Sequence, residues 1–154
     1  MNLKIKAVTH DNPDFLLLVK KLDEFQINEI PERTKNKDFP SLMNGLDEIT
    51  DVLLMYGGNR PVGSTAIKHD VDKRCKLRRV FVEPEYRGLR IAETLGNEIE
   101  KIAIAKGYEA IIAGVWKSAT SAIKLYERMG YTLFEDCGNE GIYMIKDLVI
   151  NKEK

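Results

Sequence analysis

An apolar strand, a basic turn and a long amphipathic helix, in that order, constrain this chain more than any other segment. The strand ends at Val82, the turn spans residues 87–92, and the helix carries its apolar residues at the spacing of one buried face, namely Ile91, Leu95, Ile99, Ile102 and Ala103. A second apolar run, Ala110–Trp116, follows Gly107, which is placed to end the helix. Because a single helix separates the two strands, the sequence predicts a parallel pair joined by a right-handed crossover.

The turn between strand and helix is suited to binding an anion. The first N–H groups of a helix have no intrahelical acceptor, and that end of the helix carries positive partial charge. The candidate binding residues are Arg87, Gly88, Leu89, Arg90, Ile91 and Ala92. Two arginines add charge that a purely structural turn does not need. We therefore predict a phosphate site here, with Arg90 at an ordinary negative φ and its side chain directed outward.

Composition excludes several classes of protein. The 24 basic residues equal the 24 acidic ones, so no net field attracts nucleic acid or an anionic membrane. The two cysteines and two histidines lack the spacing of a metal site or a nucleophile pair, so we predict no metal and no covalent enzyme intermediate. No run of about 18 apolar residues is present. We therefore expect a cytoplasmic protein without a membrane partner. We also expect no nucleic-acid partner, because the charge is balanced and the turn lacks the Gly-x-Gly-x-x-Gly and Gly-Lys-Ser/Thr spacings of nucleotide sites.

Further elements are predicted on both sides of this unit. A strand over Leu3–Val8 precedes a helix that begins after Asn12, and the hairpin, helix and strands that follow are expected at residues 52–56, 62–68, 121–129, 131–134 and 141–145. Residues 26–40 are polar and predict irregular chain with at most short helical turns, and residues 40–46 predict a short helix. Simple alternation along the motif strand places Lys76, Arg78 and Val80 on one face and Leu77, Arg79 and Phe81 on the other. On that basis, the clustered charges cannot all face one ligand.

The turn and helix resemble the acyl-CoA-binding motif of the GNAT superfamily of N-acetyltransferases. The family signature is Arg or Gln, two residues, Gly, one residue, then Gly or Ala. Arg87 and Ala92 match its ends, and Arg90 stands in the place of the middle Gly. A second family block is intact as Ala122, Ile123, Leu125, Tyr126, Glu127, Gly130 and Tyr131. With a further likeness over residues 61–68, the resemblance spans nearly the whole chain and is weakest over its first 50 residues.

The resemblance implies a single α/β domain over residues 1–154, called α+β in some schemes. Its centre is a mixed, mostly antiparallel, twisted sheet of six or seven strands with a splayed parallel pair in the middle, and about four helices flank the sheet. It also implies transfer of an acetyl group from acetyl-CoA to a primary amine by direct attack in a ternary complex. The acceptor is a small-molecule or peptide amine, and a homodimer is left open.

The resemblance assigns roles residue by residue. The backbone N–H groups of residues 87–92 bind the pyrophosphate, the main chain of Val82 lines the pantetheine, and an N–H near Phe81 or Val82 polarises the thioester carbonyl. Tyr126 matches the general acid, although its stripe on the helix is also typical of a plain core helix. Ala119 stands where relatives often have Asn, so the pantetheine contact passes to Ser118 or Ser121, with Thr120 as a further option.

The general base is the least defined part. Many relatives place a Glu where this chain has Lys76, so Glu83 at the strand end, Glu24 on the first helix, or a relayed water takes that role, although each of these two acids is more often a solvated surface residue. Acidic residues scattered over positions 23–51 would suit a cationic amine, but such a scatter is also the expected background of a chain that is 31% charged, so the acceptor is left open. The main alternative is a non-catalytic acyl-CoA-binding sensor or interaction module that kept the phosphate turn and lost the base. A weaker hypothesis is a nucleotide- or nucleic-acid-binding domain that uses the arginine cluster.

Overall fold

A seven-stranded mixed sheet forms the centre of the protein. The computed structural model describes residues 2–35, 40–138 and 141–148. In chain order the elements are β1 (Leu3–Val8), α1 (Pro13–Glu29), α2 (Pro31–Lys35), β2 (Ile49–Gly57), β3 (Arg60–Val71), β4 (Arg74–Val82), α3 (Ile91–Ala105), β5 (Ala110–Trp116), α4 (Thr120–Arg128), β6 (Thr132–Asp136) and β7 (Gly141–Asp147). The strand order is β1-β2-β3-β4-β5-β7-β6, and only β4 and β5 pair in parallel. The predicted fold is confirmed.

The two faces of the sheet bury separate apolar clusters. On one face α1 contributes Phe15, Leu18 and Val19, which pack with residues of β2, β3 and β4. The opposite face packs against α3 and α4, which contribute Leu95, Ile99 and Tyr126 among others. The sheet thus lies between α1 on one face and the helices α3 and α4 on the other. The boundary between β4 and β5 is located inside the sheet, between these two layers.

The beginning of α3 is held close to β3 by a glycine. A Cβ atom added at Gly63 would lie 2.9 Å from Cγ2 of Ile91 and 3.3 Å from Cδ1 of Leu95. Both side chains are buried in the α3 cluster, so a larger residue at position 63 would push the first turn of α3 away from the sheet. This contact fixes the position of the helix N-terminus relative to β4.

The segment before β2 departs from the sequence-based expectation. The Asn12 side chain accepts hydrogen bonds from the N–H groups of Asp14 and Phe15, at 2.8 and 3.2 Å, which confirms the predicted helix start. The helix continues to Glu29 and is followed by α2, where buried Arg33 donates to Asp23 at 2.7 Å. The irregular chain predicted from residue 26 is therefore wrong for residues 26–29, which continue α1, whereas the five-residue α2 agrees with the short helical turns allowed there. Residues 36–39 lie outside the described part.

Residues 40–46 form turns instead of the predicted short helix. The left-handed conformation of Gly45, with φ of 73°, interrupts any helix there, and a single 3-10 turn follows at Leu46–Glu48. Side chains from elsewhere satisfy this backbone, because Arg79 donates to the carbonyls of Leu42 and Asn44 at 3.0 and 2.9 Å. Tertiary hydrogen bonds of this kind leave no local signal in the sequence.

A β-bulge in β4 changes which side chains share a face. Ser64 pairs with Phe81 and Ala66 pairs with Arg78, so two residues of β4, Arg79 and Val80, lie opposite one residue of β3. Arg79 takes a φ of 57° at this point. Beyond the bulge the alternation is reversed. Leu77 is buried in the α3 cluster whereas Phe81 is buried in the α1 cluster. The predicted common face for Leu77 and Phe81 is wrong for this reason.

Candidate functional site

The parallel strands β4 and β5 separate partway along their length. They pair only over residues 74–77 of β4 and 110–113 of β5. Beyond these residues the two strands diverge, which confirms the splayed pair. A cavity of about 600 Å³ occupies the gap and extends from Val80, Val82 and Gly114 to the beginning of α3.

The far end of this first cavity is the predicted anion turn. Arg87, Gly88, Arg90, Ile91 and Ala92 line it, whereas Leu89 does not. Among the described residues, none accepts a hydrogen bond from the N–H groups of residues 88–92. The Arg87 side chain folds back over the strand end, where its Nε donates to the Val82 carbonyl at 2.9 Å. The turn therefore offers several backbone donors to an anion that enters the cavity.

The backbone conformation of Arg90 differs from the one expected from the sequence. Its φ is 60° and its ψ 30°, so it adopts the left-handed conformation and not an ordinary negative φ. The residue caps α3 at its beginning, and the chain takes this conformation to turn directly into the helix. The family signature has glycine here, which adopts a left-handed conformation without steric cost. The Arg90 side chain is 82% exposed, and its nearest acidic partner is Glu93 at 3.8 Å.

Tyr126 lies where the first cavity meets a second one and lines both. It is located on α4, is 8% exposed, and has its ring centroid 5.4 Å from that of Tyr131. Burial raises the pKa of Tyr126 to about 12. At neutral pH the hydroxyl is therefore fully protonated and is a hydrogen-bond donor to a group in the cavity. The buried Tyr131 hydroxyl has no hydrogen-bond partner among the described residues and lines neither cavity.

The remaining predicted site residues divide into two groups. Phe81, Val82 and Ser121 line the first cavity. Ser118 lines neither cavity. Its hydroxyl donates a hydrogen bond to Glu32 of α2 at 2.6 Å, and its N–H donates to the same carboxylate. This contact joins the loop before α4 to α2.

Glu83 also lies outside the lining of both cavities. It is 5% exposed and forms an ion pair with Lys21 of α1 and another with Arg60, at 3.5 Å in the second case. Glu83 is therefore a buried acid with two cationic partners, and not the solvated surface residue that was the alternative to its role as base. Glu24, the other substitute, is exposed and lines neither cavity.

Sequence analysis missed the second cavity, which has a volume of about 380 Å³. It shares Val80, Trp116 and Tyr126 with the first cavity and continues past them to three cations, Lys76, Arg78 and Arg79. Lys76 and Arg78 lie on one face, as simple alternation predicts, and the bulge in β4 turns Arg79 toward the same cavity. The expected separation of Arg79 from the other two cations is therefore wrong. Two adjacent arginines in an otherwise alternating strand were the available signal for a bulge.

Comparison with known proteins identifies the family. The model of the acetyltransferase (GNAT) family matches residues 19–131, which is more than half of the chain. The chain therefore belongs to the GNAT acetyltransferase family. Over the described residues, no group of three or more His, Cys, Asp or Glu side chains is arranged to hold a metal ion, and no helix is both long and apolar enough to cross a membrane.

Individual relatives resemble different shares of the chain. An uncharacterized N-acetyltransferase of Schizosaccharomyces pombe is 30% identical over 152 residues, which covers 87% of this chain and 85% of that protein. Human N-acetylaspartate synthetase is 34% identical over 71 residues, which covers 46% of this chain and 24% of that protein. The matched segment thus spans about a quarter of the human protein's length.

Solved structures share the fold. The PaiA N-acetyltransferase of Thermoplasma acidophilum, crystallised with coenzyme A, superposes with a TM-score of 0.75 at 21% identity and covers 96% of this chain and 99% of that one. The ribosomal-protein-S18-alanine N-acetyltransferase of Escherichia coli gives a TM-score of 0.68 at 14% identity and covers 99% of this chain and 97% of that one. At these identities the likeness concerns the fold alone.

Proposed function

We propose that this protein transfers an acetyl group from acetyl-CoA to a primary amine by direct attack in a ternary complex. The observation that carries the proposal is the continuity of the first cavity. Backbone N–H groups of residues 88–92, which have no acceptor among the described residues, lie at one end of it. Tyr126 lies at the other end, where the second cavity, named here the acceptor cavity, begins.

The residues of the chain divide the work along this path. The N–H groups of residues 88–92, with the positive end of α3, hold the pyrophosphate. The strand ends at Val82 and Gly114 leave the width of the splay for the pantetheine arm. When bound, acetyl-CoA supplies the thioester carbonyl that the amine attacks. The new C–N bond replaces the C–S bond, and Tyr126 donates a hydrogen bond, and then a proton, to the departing sulfur.

The proton of the ammonium group must also leave. Among the described residues, the acceptor cavity has no Asp, Glu or His in its lining, so we assign this proton to water and not to a side chain. The fraction of acceptor that is present as neutral amine is then set by the pKa of the amine in the site. Of the three candidates for the base, namely Glu83, Glu24 and a relayed water, the proposal keeps the water.

The lack of Asp, Glu or His among the described residues that line the acceptor cavity also favours one alternative, a non-catalytic acyl-CoA sensor. Such a protein would bind acetyl-CoA but would not transfer its acetyl group. The sensor predicts stabilisation of the protein by acetyl-CoA with no thiol release when amines are added. Mass action sets this stabilisation at about 2.7 kcal/mol when the ligand is 100-fold above its Kd.

The decisive experiment measures thiol release from acetyl-CoA with a panel of amines. The names of the relatives bring an acidic amino acid, aspartate, and a peptide N-terminal alanine into that panel. We expect Tyr126→Phe to lower kcat by about 100-fold or more, the range of a lost general acid. The matched control is Tyr131→Phe, which removes a neighbouring phenol that lines neither cavity and should leave kcat within about twofold.

Binding of acetyl-CoA without acetylation of any amine would support the sensor. Acetylation with equal kcat in wild type and Tyr126→Phe would leave the enzyme and remove the role of Tyr126. If neither binding nor acetylation is detected, both functions are excluded.

A further inference from the structure

Three cations face the acceptor cavity, and among the described residues no acidic side chain lines it. Lys76 and Arg78 are half-buried, and none of the described residues forms an ion pair or a hydrogen bond with either side chain. Nζ of Lys76 lies 5.2 Å from the centroid of the Tyr143 ring. Buried cations normally have anionic or carbonyl partners. These two therefore retain donors for a ligand.

Arg79 differs from the other two cations. Its Nε and Nη2 donate to the carbonyls of Leu42 and Asn44, and its side chain is buried. It fixes the loop beside the cavity and adds positive potential, while Lys76 and Arg78 keep free N–H groups. Burial lowers the pKa of Lys76 and of Arg78 from the ordinary values, as expected when a cation has lost water without gaining an anion.

Several of the acidic residues at positions 23–51 have partners away from the site. Asp23 accepts from Arg33 at 2.7 Å, Glu48 from Lys68 at 2.6 Å, and Glu32 from Ser118. None of the three lines either cavity. The expectation of a cationic acceptor thus has no support from the site, because a second positive charge on the acceptor would meet only cations there.

We propose that the acceptor is a primary amine that also carries an oxyanion group, a carboxylate or a phosphate, which Lys76 and Arg78 bind. This inference rests on the proposed function and names its substrate class. A guanidinium fork and an ammonium group together match the oxygens of such a group. The same positive potential disfavours the ammonium form of the acceptor, so it raises the fraction of neutral amine at a site whose described lining has no base.

The test compares acceptors that differ only in this charge. Aspartate is compared with its diamide, in which both carboxylates are replaced by neutral amides, phosphoethanolamine is compared with ethanolamine, and putrescine represents a dication. We expect kcat/KM for the aspartate or the phosphoethanolamine to exceed that of its uncharged partner by at least about tenfold, the value of one charge-assisted hydrogen bond. The better of these two pairs identifies the oxyanion. Equal or faster acetylation of the uncharged partners or of putrescine would overturn the proposal.

Variants of Lys76 and Arg78 test whether these two residues cause the preference for an anionic acceptor. Lys76→Gln and Arg78→Gln should each raise KM for the anionic acceptor by about tenfold with kcat nearly unchanged, and should reduce its advantage over the uncharged partner. The control Lys6→Gln removes the same charge from β1, which is separated from β4 by two strands, and should change neither value. A uniform loss of kcat on every acceptor would overturn the binding role and indicate a catalytic one.

A binding measurement separates this inference from the proposed function. The full chain, saturated with coenzyme A, is titrated calorimetrically with N-acetylaspartate, its diamide, in which both carboxylates are neutral amides, and N-acetylphosphoethanolamine. Tighter binding of an anionic ligand, lost in Arg78→Gln, would uphold the site even if no amine were acetylated. Equal binding of charged and uncharged ligands would overturn it even in an active enzyme.

Discussion

Replacement of Arg90 by glycine should stabilise the protein. Arg90 has a φ of 60°, where a residue with a side chain is strained, and it begins the helix whose first N–H groups we propose to bind phosphate. The Arg90 side chain is 82% exposed and, among the described residues, its ion pair is with Glu93, at 3.8 Å, so its removal breaks no buried ion pair. The change therefore tests the backbone conformation of the turn almost in isolation.

The magnitude follows from two opposing terms. The left-handed conformation costs a residue with a Cβ atom about 1–2 kcal/mol. Glycine loses more conformational freedom on folding, which costs about 0.5–1 kcal/mol relative to alanine. The midpoints of these two ranges differ by about 0.75 kcal/mol, which is the expected net gain in the free energy of unfolding. For a chain of this length, that gain corresponds to a rise in Tm of about 1–4 °C.

Urea unfolding followed by circular dichroism measures this gain as a higher midpoint at unchanged slope. Arg90→Ala is the matched control, because it removes the same side chain and keeps the strained conformation. We expect Arg90→Ala to lie within about 0.3 kcal/mol of wild type. Equal stabilisation by both variants would assign the effect to the charge, and no gain in Arg90→Gly would refute the left-handed turn.

Two further predictions concern the reaction and the packing of α3. Because burial raises the pKa of Tyr126 to about 12, its hydroxyl keeps its proton on the alkaline side, and kcat/KM should rise with pH toward the pKa of the acceptor amine without a fall below about pH 10. A fall at lower pH that is absent in Tyr126→Phe would contradict this. Gly63→Ala should destabilise the protein by about 1–3 kcal/mol, because its Cβ would lie 2.9 Å from Ile91 Cγ2. Urea unfolding measures this loss as a lower midpoint. A midpoint equal to that of the wild type would contradict the close contact between Gly63 of β3 and the first turn of α3.

Local periodicity was sufficient for much of the fold. The strand over Leu3–Val8, the cap at Asn12 and the order of strand, helix and strand around α3 each depend on neighbouring residues, and each is present. The anion turn was also predictable, since a helix beginning needs only a few consecutive residues. Its donors are backbone groups that every sequence supplies.

The acceptor side was not predictable in the same way. Alternation already places Lys76 and Arg78 on one face, but Arg79 joins them through a bulge, where one added residue reverses the alternation of β4. Glu83 was a candidate base, but Lys21 of α1 pairs with it across 62 positions of the chain, and it lines neither cavity. Both outcomes depend on contacts between distant segments, and a strand pattern carries no record of them.

The central claim is that the backbone N–H groups of residues 88–92 bind a phosphate. Calorimetric titration with 4′-phosphopantetheine and with pantetheine tests it most directly, because the two ligands differ by one phosphate group at the position assigned to the turn. Several charge-assisted N–H bonds predict that 4′-phosphopantetheine binds at least about 100-fold more tightly, with coenzyme A at least as tight. Equal affinity of the two pantetheine ligands would contradict the claim.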